Sequence, residues 1–205
     1  MIHDMDRSGY FGGSDTKFVM SNNWDSATWK QFWNTKVGGN NPNRFESIYT
    51  RAGNLYEHKI LNAIDENIEM DGQIILEKHL IRVNYDGWLR TEDGTIIYEV
   101  KTHKAEKDFE ISNAYWQQCQ VEMFVFQEMH DKWFLPPLKE LYLVSYALNP
   151  IDYGLSEDEI VIDTDRIVYH TVKYDKSFIK GEYLPRVKQL AKALRKGKYP
   201  SMVKK

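Results

Sequence analysis

Val83-Asn84-Tyr85-Asp86-Gly87-Trp88-Leu89 and Thr95-Ile96-Ile97-Tyr98-Glu99-Val100-Lys101 are two strand-like runs joined through Glu92-Asp93-Gly94. Both are rich in β-branched and aromatic residues, and Asp-Gly is a favoured hairpin pair. Asp86 lies on the first run. Glu99 and Lys101 are two residues apart on the second, so an extended chain turns both side chains to one face. An acid beside an acid–lysine pair suits metal-assisted cleavage of a phosphodiester. The carboxylates hold hard divalent cations, and the lysine polarises the attacking water or neutralises charge developing on the phosphate. A Glu-x-Lys pair is also common as plain surface charge, so the pattern needs support from elsewhere in the chain.

Two helices give that support. The spacing predicts one over about Arg51 to Asn67, with an apolar stripe of Ile60, Leu61 and Ile64. Glu57 stands three, four and seven residues before them, on the same face. A carboxylate there is costly without a partner or a metal; the alternative is a Glu at the stripe's edge that reaches solvent or pairs with an Arg. The second helix is predicted over about Ser112 to Glu128, capped by Ser112 or Asn113. Gln118 falls within its stripe of Ala114, Val121 and Val125. It is either a group that orients water or phosphate, or a satisfied core amide.

Around these, Gln73 to Val83 reads as one strand or a pair, and Leu141 to Leu148 and Ile167 to Lys173 read as strands. Leu184 to Leu194 is an amphipathic helix, and Asn149 to Asp165 an acidic insertion or edge. Near the start, Gly12-Gly13-Ser14-Asp15 precedes a short helix that Ser14 or Asp15 would cap, a candidate phosphate cradle. Trp24, Trp29, Phe32 and Trp33 read as core or lid packing. The order α, α, β-β-β, α, β, β, α implies an α/β (α+β) fold, a central mixed sheet flanked by helices.

The chain has 205 residues and a net charge of −3, enough for one domain with a sizeable core. No Asp or Glu follows Glu182, whereas Arg186, Lys188, Lys192, Arg195, Lys196, Lys198, Lys204 and Lys205 do. This basic end is either a patch for an anionic partner or a solvated helix face. The one cysteine, Cys119, excludes an internal disulfide and a cysteine-ligated cluster, and fits a reducing cytoplasm. No run approaches the roughly 20 apolar residues of a membrane span. The first residues lack the basic lead and apolar run of a signal peptide.

With these residues in their order, the sequence resembles the PD-(D/E)XK nuclease superfamily, and within it the phage lambda-type (YqaJ-like) alkaline exonucleases of viral recombination. Gly12-Gly13-Ser14-Asp15 looks like the N-terminal small-Ser-acid motif. Arg51-Ala52-Gly53-Asn54-Leu55-Tyr56-Glu57 is similar to the Gly-x-x-x-Glu helix, and Asp86-Gly87 and Glu99-Val100-Lys101 to the core motifs. Tyr115-Trp116-Gln117-Gln118-Cys119-Gln120-Val121-Glu122-Met123 resembles the aromatic-x-Gln-x-Gln helix. Tyr85 replaces the proline of the superfamily's name.

The resemblance implies a restriction-endonuclease-like core over about 45–175, an N-terminal DNA-end-binding segment over 1–44, and the basic C-terminal helix over about 182–205. Asp86, Glu99, Glu57 and the carbonyl of Val100 would hold one or two Mg²⁺ or Mn²⁺ ions. Lys101 would activate the water, and Gln118, before Gln120, would sit at the site. Arg7 and Ser14 would hold a DNA 5′-phosphate. The implied activity is a 5′→3′ exonuclease that degrades one strand of double-stranded DNA from its ends. A homo-oligomeric ring, of three subunits, and a single-strand annealing protein would be its partners. A site- or structure-specific endonuclease and an inactive DNA-binding module are the alternatives.

Overall fold

The computed structural model describes residues 8–38 and 47–201. Its helices are α1 (Thr16–Val19), α2 (Ala27–Lys36), α3 (Ile48–Ile64), α4 (Asn113–Met129), α5 (Lys176–Phe178) and α6 (Leu184–Arg195). Its strands are β1 (Glu69–Leu76), β2 (Ile81–Thr91), β3 (Gly94–Lys104), β4 (Leu138–Leu148) and β5 (Ile167–Thr171). They form one mixed sheet in the order β1-β2-β3-β4-β5. Only β3 and β4 run parallel, and α4 makes the crossover that such a pair requires. The α/β class with flanking helices is as the sequence implies.

Side-chain alternation divides the core in two. On β3, Tyr98 and Val100 face α3 and pack with Tyr56, Ile60, Leu61, Val144 and Tyr146. Ile97 faces the other way and packs beneath α4 with Val121, Val125, Leu141 and Leu143. Glu99 and Lys101 have the parity of Ile97, so they point to the α4 side. The tryptophan-rich α2 segment joins this second cluster, with Trp29 stacked on Trp24 and Trp33.

Several local expectations change. Gln73 to Val83 is two strands, split by the turn Glu77–His79 and by Leu80 at φ 53°. The β2–β3 loop centres on Glu92-Asp93, because Thr91 already pairs with Gly94, which takes φ 139°. The predicted helix over 51–67 starts and ends three residues earlier. Ser112 caps α4 as expected, its hydroxyl accepting from Tyr115 N at 3.2 Å. Asp15 holds the N-cap position of α1 but makes no side-chain cap bond there; its Oδ2 instead accepts from Gly12 N at 2.7 Å and so pins the glycine turn. The acidic stretch after β4 is a series of short turns, Pro150–Gly154, Glu157–Glu159 and Thr164–Arg166.

Candidate active site

β2 and β3 pair from the turn as far as Gly87 opposite Tyr98, and then separate. The rest of β2 pairs with β1, and Ile81 also bridges to Phe11. At the first unpaired position the backbone N–H of Val100 donates to Asp86 Oδ2 at 2.7 Å, so a carboxylate takes the place of the lost ladder carbonyl. Strand alternation also slips here. Tyr85 and Trp88, three residues apart, both pack in the α4-side core. The slip turns Asp86 toward Glu99 and opens a cleft between the strands.

The cleft is a cavity of about 220 Å³ whose wall includes Asp86, Glu99, Lys101, Gln118, Glu122 and Ser14. Glu99 is 2% exposed and bonds Lys101 Nζ. Gln118 Nε2 donates to Glu99 Oε1 at 2.5 Å and to Glu122 Oε1 at 2.9 Å. Lys101 also lies over the Tyr115 ring, 5.5 Å from its centre. Burial and then the neighbouring Glu99 push the Asp86 and Glu122 carboxyls well above the usual carboxylate range. Burial opposes charge on Lys101 too, but Glu99 and Asp86 outweigh it and hold its ammonium protonated. Carboxyls raised by burial and by one another are groups that a bound cation would return to their charged form.

Glu57 approaches from the α3 side. It lines a second cavity with Gly53, Asn54, Val100, Lys101 and Thr102, so Lys101 borders both. Burial and the charge of Glu99 raise its carboxyl to about 7. Glu57, His58 and Asp71 each bring a potential ligand atom within 4.8 Å of the others. All the acids are hard oxygen donors, which fits Mg²⁺ or Mn²⁺.

Of the predicted residues, Asp86, Glu99, Lys101, Gln118 and Ser14 share one cavity, and Glu57 stands beyond Lys101. Gln120 is elsewhere. Its Nε2 donates to Lys173 O at 2.9 Å and its Oε1 accepts from Asp175 N at 2.6 Å, a wholly buried structural amide. Arg7 lies outside the described residues. The sequence reading missed Glu122, although it is one helical turn after Gln118. It also missed Arg82 and Asn84, which line the cavity at strand period from Asp86, and the buried pair of Lys36 with Asp15 at 2.5 Å. In the basic end, Arg186 donates to Met20 O and Arg195 to Glu77 O, so both hold the fold together. Among the described residues no helix is long and apolar enough to cross a membrane.

Neither a family model nor a curated protein matches the chain by sequence. Its structure is similar to that of an alkaline exonuclease, LHK-Exo, from Laribacter hongkongensis, at 16% identity and a TM-score of 0.59, covering 92% of this chain and 89% of that one. It is also similar to a phage-related exonuclease from Haemophilus somnus 129PT, at 15% identity and a TM-score of 0.55, covering 91% and 92%. The chain thus has the fold of these exonucleases over nearly its whole length, the same kind of protein its motifs resemble.

Proposed function

We propose that this protein is a metal-dependent deoxyribonuclease, a 5′→3′ exonuclease that degrades one strand of double-stranded DNA from its ends. The observation that carries the reading is the convergence of Asp86, Glu99, Lys101 and Gln118 where β2 leaves β3. The exonuclease fold supports it. Asp86, Glu99, Glu57 and the Val100 carbonyl would hold Mg²⁺ or Mn²⁺, and the bound cation would supply Lewis-acid polarisation of the phosphate.

The chain's own groups do the rest. Lys101, kept protonated, donates to the attacking water and neutralises charge on the scissile phosphate. Glu99 and the Tyr115 ring hold its ammonium in place. Gln118 fixes the Glu99 carboxylate, so the acid and the lysine act as one unit. Ser14, exposed on the cavity wall beside the Gly12-Gly13 turn, would bind the DNA 5′-phosphate, a role the resemblance also implies for Arg7. A ring of subunits around DNA and a single-strand annealing partner complete the reading.

Linear duplex carrying a 5′-phosphate on one end, incubated with Mg²⁺ and then with EDTA, tests it. One strand should disappear from the phosphorylated end, only with the metal, and covalently closed circles should survive. Nicked circles would make the protein an endonuclease instead.

A further inference from the structure

Glu122 has a position that packing does not explain. It is 1% exposed on α4, yet it lines the site cavity with Asp86 and Glu99. Its Oε1 accepts from Gln118 Nε2, the nitrogen that also serves Glu99. Its Oε2 is buried with no hydrogen-bond partner. A buried carboxylate oxygen in that state is unfavourable, and either a proton shared with the neighbouring Glu99 or a bound cation completes it.

The charge balance says what is missing. Asp86, Glu99 and Glu122 share the described wall with two cations beyond the Lys36–Asp15 pair, Lys101 and Arg82, so acids still outnumber bases. Asp15 in the same wall is already matched by Lys36, and Arg82 lies against the Tyr10 ring, 5.6 Å from its centre. Gln118 is neutral and divides one amide between two acids, so it orients them without compensating them. The glycine turn is also shaped to Glu122: a Cβ on Gly13 would stand 3.1 Å from its Oε1.

We propose that Glu122 is a further ligand of the metal centre and that, with Glu99, it holds a second divalent cation on the α4 side of the cleft. This rests on the reading of Asp86 and Glu99 as metal ligands.

The test is calorimetric titration of Mn²⁺ into the full-length, EDTA-stripped protein without DNA. The parent should bind two ions per chain. Glu122→Gln should keep one and weaken the other at least tenfold. If Glu122→Gln binds Mn²⁺ as the parent does, Glu122 is a neutral acid and the proposal is overturned. Asp86→Asn separates the two levels: if it weakens binding while Glu122→Gln does not, only the role of Glu122 falls. If neither changes binding, the metal centre itself is misassigned. Should Glu122→Gln fail to fold, paramagnetic resonance of the parent saturated with Mn²⁺ decides. A spin-coupled pair supports the proposal, and an isolated-ion spectrum overturns it.

Discussion

The hydroxyl of Tyr85 donates to the main-chain carbonyl of Glu122 at 2.9 Å, joining the residue before Asp86 to the helix that carries Gln118. Tyr85 is 2% exposed and packs edge-on to Trp88 and Phe126. It occupies the position where the resembled superfamily carries a proline, and it sets the spacing between strand and helix. Tyr85→Phe keeps the ring and removes this bond, while the carbonyl keeps its place in the α4 ladder, so the cost is about 0.5–1.5 kcal/mol. At about 2–4 °C per kcal/mol for a chain of this size, a melting curve resolves the loss. An unchanged melting temperature would show that the bond contributes nothing.

Asp86→Asn and Lys101→Met should each lower the cleavage rate at least about 100-fold, the usual scale for removing a preorganised charge from a reacting centre. Affinity for duplex DNA, measured by fluorescence anisotropy, should change little. Parent-like cleavage by either variant would remove that residue from the chemistry.

Gln118 and Gln120 of α4 should separate cleanly. Gln120→Leu leaves Asp175 N and Lys173 O without their partners, so it should lower stability by about 1–3 kcal/mol. Gln118→Leu should lower turnover, an effect Gln120→Leu lacks among the molecules that remain folded. The reverse pattern would assign the catalytic amide to Gln120.

Glu57 makes the metal-free protein pH-sensitive. Its carboxyl titrates near 7 in the fold and near 4.5 when unfolded, so the folded chain binds more protons between these values. Stability from this group is therefore complete below about 4.5 and declines as pH rises through about 7. A divalent cation supplies the missing countercharge, so its stabilising effect should grow across the same window and level off above it. Melting in EDTA and in MgCl₂ from about pH 5 to about pH 9 would show this, and Glu57→Gln should flatten the metal-free curve. A Mg²⁺-induced shift that does not vary with pH would contradict it.

Much of this was legible in the sequence because periodicity is local. The strand spacing of Glu99 and Lys101, the helical placement of Gln118, and the order of elements all follow from residues a few positions apart. What was not legible depends on pairing partners. Nothing in Val83 to Leu89 tells that β2 abandons β3 at Asp86, since that depends on β1 capturing the far half of the strand. Gln118 and Gln120 look alike until Lys173 and Asp175 arrive from distant sequence. Glu122 passed as an ordinary helical acid because a residue packed against it, Gly13, lies more than a hundred residues upstream.

The five paired positions from Thr91–Gly94 to Gly87–Tyr98 act as a ruler laid from the loop to the cleft. Replacing Glu92 or Asp93 leaves the ruler intact. Inserting a single residue between Gly94 and Glu99 reverses it, because every side chain beyond the insertion changes face. Glu99 and Lys101 would then be turned into the apolar layer under α3 and Val100 into the cleft. Descendants of this sequence can vary the loop freely, but they can lengthen the arm only in steps of two.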